Sequence, residues 1–133
     1  MCVANSARSQ LAEGLARNLF PQAEIQSAGS LPGKLNPHAV KVMQEIGIDI
    51  SEQYAKSVNG LSPKFTRGLD YVITLCAEEV CPVTIAGAKK LHWPLPDPAS
   101  KDAISVDASL AKFREAREAI SEKLATLKNE LRL

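Results

Sequence analysis

The stretch CVANSARSQLAEGLARNL, residues 2–19, decides how this chain is read. It opens with a cysteine, runs through small residues to Arg8, and then turns helical. Leu11, Leu15 and Leu19 recur at i, i+4 and i+8, which predicts a helix over residues 7–19. Pro21 stands just past its end. A loop of small residues entering a helix can turn several backbone N–H groups toward one point. Together with the helix N-terminus they make a nest for an anion, here from Val3, Ala4, Asn5, Ser6, Ala7, Arg8 and Ser9. Arg8 adds a planar fork that matches two oxygens of a tetrahedral oxyanion. Such a positive field stabilises a thiolate, so Cys2 is a candidate nucleophile. Ser9 is placed to hydrogen-bond that thiolate, and Asn5 to brace the loop. A plainer account also fits: a cysteine near a terminus and a surface arginine capping a helix.

The rest of the chain narrows the choice. Its 133 residues suit one domain, 1–133, with one core. The net charge of +1 gives no electrostatic footprint for nucleic acid. No apolar run reaches membrane-spanning length and no charged-then-apolar leader opens the chain, so a cytoplasmic location is expected. The three cysteines are Cys2, Cys76 and Cys81. An odd count without a secretion signal argues against a disulfide framework and leaves catalytic, redox or metal roles. A zinc site would need His38 and His92 beside Cys76 and Cys81, and no second close pair of cysteines follows.

Residues 23–29, AEIQSAG, alternate like a short strand. Asn36 and Pro37 are an N-cap and first-position pair for a helix with an apolar stripe of Val40, Met43 and Ile46, ended by Gly47. Ser62 and Pro63 start a short helical piece. LDYVITLC, residues 69–76, is a continuous apolar and β-branched run, as in a buried parallel sheet. KKLHW, residues 89–93, is a weaker strand, after which Pro94, Pro96 and Pro98 predict an irregular loop. A long helix runs from about residue 107 to 131, its stripe of Leu110, Phe113, Ile120, Leu124, Leu127 and Leu131 broken by Arg117. Strands alternating with helices predict an α/β fold with a small, mainly parallel sheet. In such sheets ligands sit at the carboxyl ends of the strands.

CVANSARSQLAEG resembles the signature of the low-molecular-weight phosphatase superfamily, and within it the thioredoxin-coupled arsenate reductases. SAG at 27–29, NPHAVKVMQEIGIDIS at 36–51, DYVITLC at 70–76 and HWPLPDPA at 92–99 look like the family's segments in the family's order. The resemblance implies a three-layer sandwich of helices around the sheet, with a phosphatase-type oxyanion loop. It implies that Asp97, of the Asp-Pro pair, is the general acid. It further implies a thiol cascade: Cys2 attacks arsenate, Cys76 attacks Cys2 and releases arsenite, and Cys81 attacks Cys76. Thioredoxin or a similar thiol donor then reduces the Cys76–Cys81 disulfide, and no cofactor is bound. Four residues separate Cys76 from Cys81, where related reductases often have a longer spacer.

A second function, hydrolysis of phosphate monoesters through a phosphocysteine, needs only Cys2, Arg8 and Asp97. Tyrosine phosphatases of the family usually carry aromatic walls after the Asp-Pro pair. Here the sequence reads DPASKD, with no aromatic, which favours a small oxyanion, arsenate or phosphate. Trp93 and Tyr54 are the nearby aromatics, and Trp93 reads first as a half-buried packing residue.

The resemblance also maps Asn5, Glu13 and Ser27 onto ligands of a potassium ion that some family reductases bind. The fourth ligand, an Asp in the family, falls near Asn59. Finally, the family strand that enters the loop has no counterpart, since only Met1 precedes Cys2. Either the chain begins upstream, or its sheet is rearranged, or a strand-completing homo-oligomer compensates for open edges.

Overall fold

β1 (Tyr71–Cys76) and β2 (Lys89–Leu95) pair in parallel, from Tyr71 opposite Lys89 to Cys76 opposite Leu95. The structure is a computed structural model, and it describes residues 5–76, 87–99 and 105–131. Among the described residues four α-helices accompany this two-stranded sheet: α1 (Arg8–Leu19), α2 (Pro37–Gln44), α3 (Pro63–Arg67) and α4 (Val106–Leu131). The architecture is therefore α/β with a small parallel sheet.

β2 runs two residues further than the sequence reading and takes in Pro94. A proline has no N–H for a ladder, so it belongs at an irregular register. The register does slip there, between Thr74 opposite His92 and Cys76 opposite Leu95.

The core joins α1, α2 and α4 to the strand ends. Leu11 and Leu15 of α1, Val42 and Met43 of α2, and Leu110, Phe113, Ile120 and Leu124 of α4 are buried with Leu75 and Leu95. α2 turns differently from its predicted stripe. Ala39, Val42 and Met43 are its buried face, Val40 is half-buried and Ile46 is exposed. Gly14 lets α1 approach closely: a Cβ there would stand 2.6 Å from Ile50 Cγ2 and 3.0 Å from Met43 Cε. Arg117 interrupts the α4 stripe because it serves as a tie between helices. Its Nη1 donates to the Val42 carbonyl at 2.7 Å, near the α2 C-terminus. Glu45 takes Arg117 at 3.0 Å and Arg114 at 2.6 Å, fastening α4 to α2.

Residues 23–29 do not form the expected strand. Only Gly29 pairs, in an isolated parallel bridge with Ser57. Among the described residues no strand lies alongside this segment. A cavity of about 790 Å³ lies between residues 22–28, α1, β1 and the last turns of α4. Alternation gives a segment two faces, but a strand needs a ladder. Leu127 and Leu131 line that cavity and are only partly buried, so the end of α4 overruns the packed sheet.

Candidate active site

Arg8 is the first residue of α1 and is buried. Its Nη1 donates to the Leu95 carbonyl at 2.7 Å and reaches the Leu75 carbonyl at 3.4 Å. One arginine thus bridges the carboxyl ends of both parallel strands. Leu75 directly precedes Cys76, and Leu95 stands two residues before Asp97. Asp97 is exposed, and its Oδ1 accepts the Ala99 N–H at 3.0 Å in a tight turn. Cys76 ends β1; Cys2, Val3, Ala4, Cys81 and the side chain of Cys76 lie outside the described residues.

α1 begins without a side-chain cap, because Ala7 has no acceptor to offer. The other helices differ. Asn36 caps α2, Ser62 caps α3, and Ser105 Oγ accepts the Ala108 N–H at the start of α4. The loop also leans on α2, since the Asn36 N–H donates to the Ser6 carbonyl at 2.9 Å.

Asn5 fixes the loop. Its φ of 49° lies in the left-handed region, where Asn is among the best tolerated non-glycine residues. Its side chain is fully engaged. Nδ2 donates to Ser9 Oγ at 2.7 Å and to Ser27 Oγ at 2.9 Å. Oδ1 accepts the Lys56 backbone N–H at 2.9 Å and Gln10 Nε2 at 3.2 Å. Gln10 also donates to the Asn5 carbonyl at 2.8 Å, and Gln53 Nε2 donates to Gln10 Oε1 at 2.8 Å. These bonds tie Asn5 to α1, to Ser27 and to the Lys56 backbone. Sequence reasoning misses Gln10, Gln53 and Lys56, because polar residues between apolar ones read as a solvated face. Only Gln10, fully buried, carries a trace: it sits one residue before Leu11 in the predicted helix.

The potassium ligands fare differently. Glu13 Oε1 accepts the Ser27 N–H at 2.8 Å, the Ser27 hydroxyl at 2.8 Å and Lys56 Nζ at 3.3 Å. A backbone N–H can only donate, so the Lys56 N–H fixes Asn5 Oδ1 toward itself and turns Nδ2, a donor, toward Ser27. A potassium ion needs oxygens, and this cluster presents an ammonium and an amide N–H instead. The residues do not fit the ion. Asn59, onto which the fourth ligand falls, is exposed, and its N–H donates to Ser57 Oγ.

The two histidines stand apart in their contacts. His38 packs edge-on against Phe113 with ring centroids 5.5 Å apart. His92 Nδ1 lies 2.6 Å from Thr74 Oγ1, and Thr74 is buried. No group of three metal-ligating side chains occurs among the described residues. Trp93 is half-buried and packs against the core. Tyr54 is 66% exposed. No helix among the described residues is long and apolar enough to cross a membrane.

Comparisons with known proteins agree with this geometry. The family model for low molecular weight phosphotyrosine protein phosphatase matches residues 1–133. An arsenate reductase of Halalkalibacterium halodurans is 38% identical over 129 residues, 95% of this chain and 90% of that protein. The solved structure of an arsenate reductase in its phosphate-binding state superposes with a TM-score of 0.77 at 30% identity, covering 97% of this chain and 93% of that one. A thioredoxin-dependent arsenate reductase of Corynebacterium glutamicum gives a TM-score of 0.72 at 30% identity, over 98% of this chain and 59% of that one.

Proposed function

This chain belongs to the low molecular weight phosphotyrosine protein phosphatase family, and from that premise we propose that it is an arsenate reductase acting in arsenic detoxification. One observation carries the reading beyond family membership. Arg8, at the start of α1, bridges the carbonyls of Leu75, one residue before Cys76, and Leu95, two residues before Asp97, which supports a shared site at this end of the sheet. On this reading an oxyanion held there would meet Cys76 at the end of β1 and Asp97 in the turn after β2.

The chemistry then runs in balanced steps. The Cys2 thiolate attacks arsenic(V) and an oxygen leaves as water, protonated by Asp97, giving a Cys2 sulfur–arsenic adduct. Arg8 and the loop N–H groups hold the remaining oxygens. The Cys76 thiolate attacks Cys2 Sγ; the sulfur–arsenic electron pair departs with arsenic, which leaves as arsenite, arsenic(III). A Cys2–Cys76 disulfide remains. The Cys81 thiolate attacks Cys76 Sγ and frees Cys2 as a thiolate. Two electrons from a dithiol donor, thioredoxin or a protein of its kind, reduce the Cys76–Cys81 disulfide. The cycle suits the cytoplasm, where thiols are kept reduced.

The family's name keeps phosphate monoester hydrolysis as a second reading. It needs Cys2, Arg8 and Asp97 but neither Cys76 nor Cys81. The discriminating experiment sets steady-state arsenate reduction with thioredoxin beside phosphatase turnover on the same sample. The reductase reading expects Cys2→Ser to abolish both, and a Cys76→Ser, Cys81→Ser double variant to lose only multiple-turnover arsenate reduction. Full arsenate turnover in that double variant would refute the cascade. Comparable turnover of the wild type on a bulky phosphotyrosyl peptide would favour the phosphatase.

A further inference from the structure

Glu13 is the most enclosed carboxylate beside the anion loop. Its side chain is 3% exposed, and a carboxylate so dry needs a positive charge close by. Two cations approach it. Arg17 reaches Oε2 at 3.4 Å from a side chain 56% exposed, where solvent screens the pair. Lys56 reaches Oε1 at 3.3 Å from a side chain 13% exposed, so its charge is the less screened of the two. The Tyr54 ring covers that ammonium, with Nζ 4.9 Å from the ring centroid.

Lys56 grips the loop twice. Its backbone N–H donates to Asn5 Oδ1. Its ammonium pairs with Glu13 Oε1, which accepts the Ser27 hydroxyl, which in turn accepts Asn5 Nδ2. Both paths end on Asn5, the residue that sets the loop's left-handed turn. A free cation at this place would be repelled by the ammonium, which already holds Glu13 Oε1. A tethered ammonium also avoids recruitment from solution, because its effective concentration is fixed by the chain.

We propose that Lys56 is a tethered cation and a positioning residue, which does at Glu13 what a bound monovalent ion would do, so that the loop is ordered without potassium. The proposal rests on reading the segment after Cys2 as an oxyanion loop. It adds that oxyanion binding by this chain is independent of potassium, and that removing one ammonium makes it dependent.

The test compares the intact wild-type chain with Lys56→Met, which keeps the unbranched apolar stem and removes the ammonium. Melting temperature and inorganic phosphate affinity are measured in potassium, ammonium and choline chloride at matched ionic strength. The wild type gives the same values in all three salts. Lys56→Met melts lower and binds phosphate roughly tenfold more weakly in choline, the size expected for one lost charge-assisted hydrogen bond. Potassium or ammonium recovers part of both losses. Adding Glu13→Gln to Lys56→Met recovers part of the melting loss without any salt, because the uncompensated carboxylate is gone. The proposal is overturned if the wild type responds selectively to potassium, if Lys56→Met matches the wild type, or if neither ion nor Glu13→Gln restores it. Absence of arsenate turnover in the wild type would refute the reductase reading alone, since melting and phosphate binding are read without it.

Discussion

Helices α1 and α2 start side by side, joined by the Asn36 N–H donating to the Ser6 carbonyl, yet they are built in opposite ways. α2 closes its own end. Asn36 Oδ1 accepts the His38 N–H at 2.8 Å, and Pro37 at the first position has no N–H to satisfy. α1 starts after Ala7, whose side chain can accept nothing, while Gln10 holds the loop from behind through the Asn5 carbonyl. A cap placed on the α1 start would compete with an anion for the same donors. The difference agrees with the proposed function, in which the helix start that receives the anion is the one with no side-chain cap.

Three changes break or sharpen this contrast. The largest effect is expected from Arg8→Ala. It removes the fork at the start of α1 and the bridge between the strand ends. Arsenate kcat/KM should fall by roughly a hundredfold or more, the size seen when one oxyanion donor is lost. An Arg8→Ala variant with near-normal turnover would mean that the oxyanion binds elsewhere.

Asn36→Ala should be much milder. It removes the α2 cap and should lower stability by about 1 kcal/mol, measured by urea unfolding. Phosphate affinity should stay close to the wild-type value. A large loss of phosphate affinity would show that the two helix starts act as one unit.

The smallest effect at neutral pH is expected at Glu45, which ties α2 to α4 from outside the site. Hydrogen bonds from Arg114, then Arg117, hold its pKa down at about 2 from an ordinary 4.5. A carboxylate whose folded pKa lies below its unfolded one stabilises the fold above the unfolded value. That contribution fades as pH falls from about 4.5 toward 2. Melting curves of the wild type and Glu45→Gln should therefore differ near neutral pH and converge across that window, with phosphate binding unchanged at neutral pH. Melting curves that stay equally far apart down to pH 2 would contradict the pairing.

Much of this is legible in the sequence because the signals are local. Asn36-Pro37 and Ser62-Pro63 mark helix starts that the structure keeps, and the β-branched run at 69–76 becomes β1 from Tyr71 onward. What depends on a neighbour is not legible. Residues 23–29 alternate correctly but face a cavity, so they make no ladder. Pro94 enters β2 because the register slips beside it, which no local rule reveals. Ile46 fits a helical spacing but lies in the turn after α2, which ends at Gln44 before Gly47 is reached, and there it is exposed. The site divides in the same way. Arg8 and Asn5 are marked by the loop's spacing, whereas Lys56, far along the chain, joins them only by folding.

The central claim is that the start of α1, which has no side-chain cap, holds the oxyanion and the capped start of α2 does not. Titration of the isotope-labelled protein with inorganic phosphate, followed through its backbone amide NMR signals, tests it most directly. The account predicts saturable shifts concentrated on the amides of Ser6, Ala7, Arg8 and Ser9, with those of His38 and Ala39 moving little. Shifts centred on α2, or none at saturating phosphate, would contradict it.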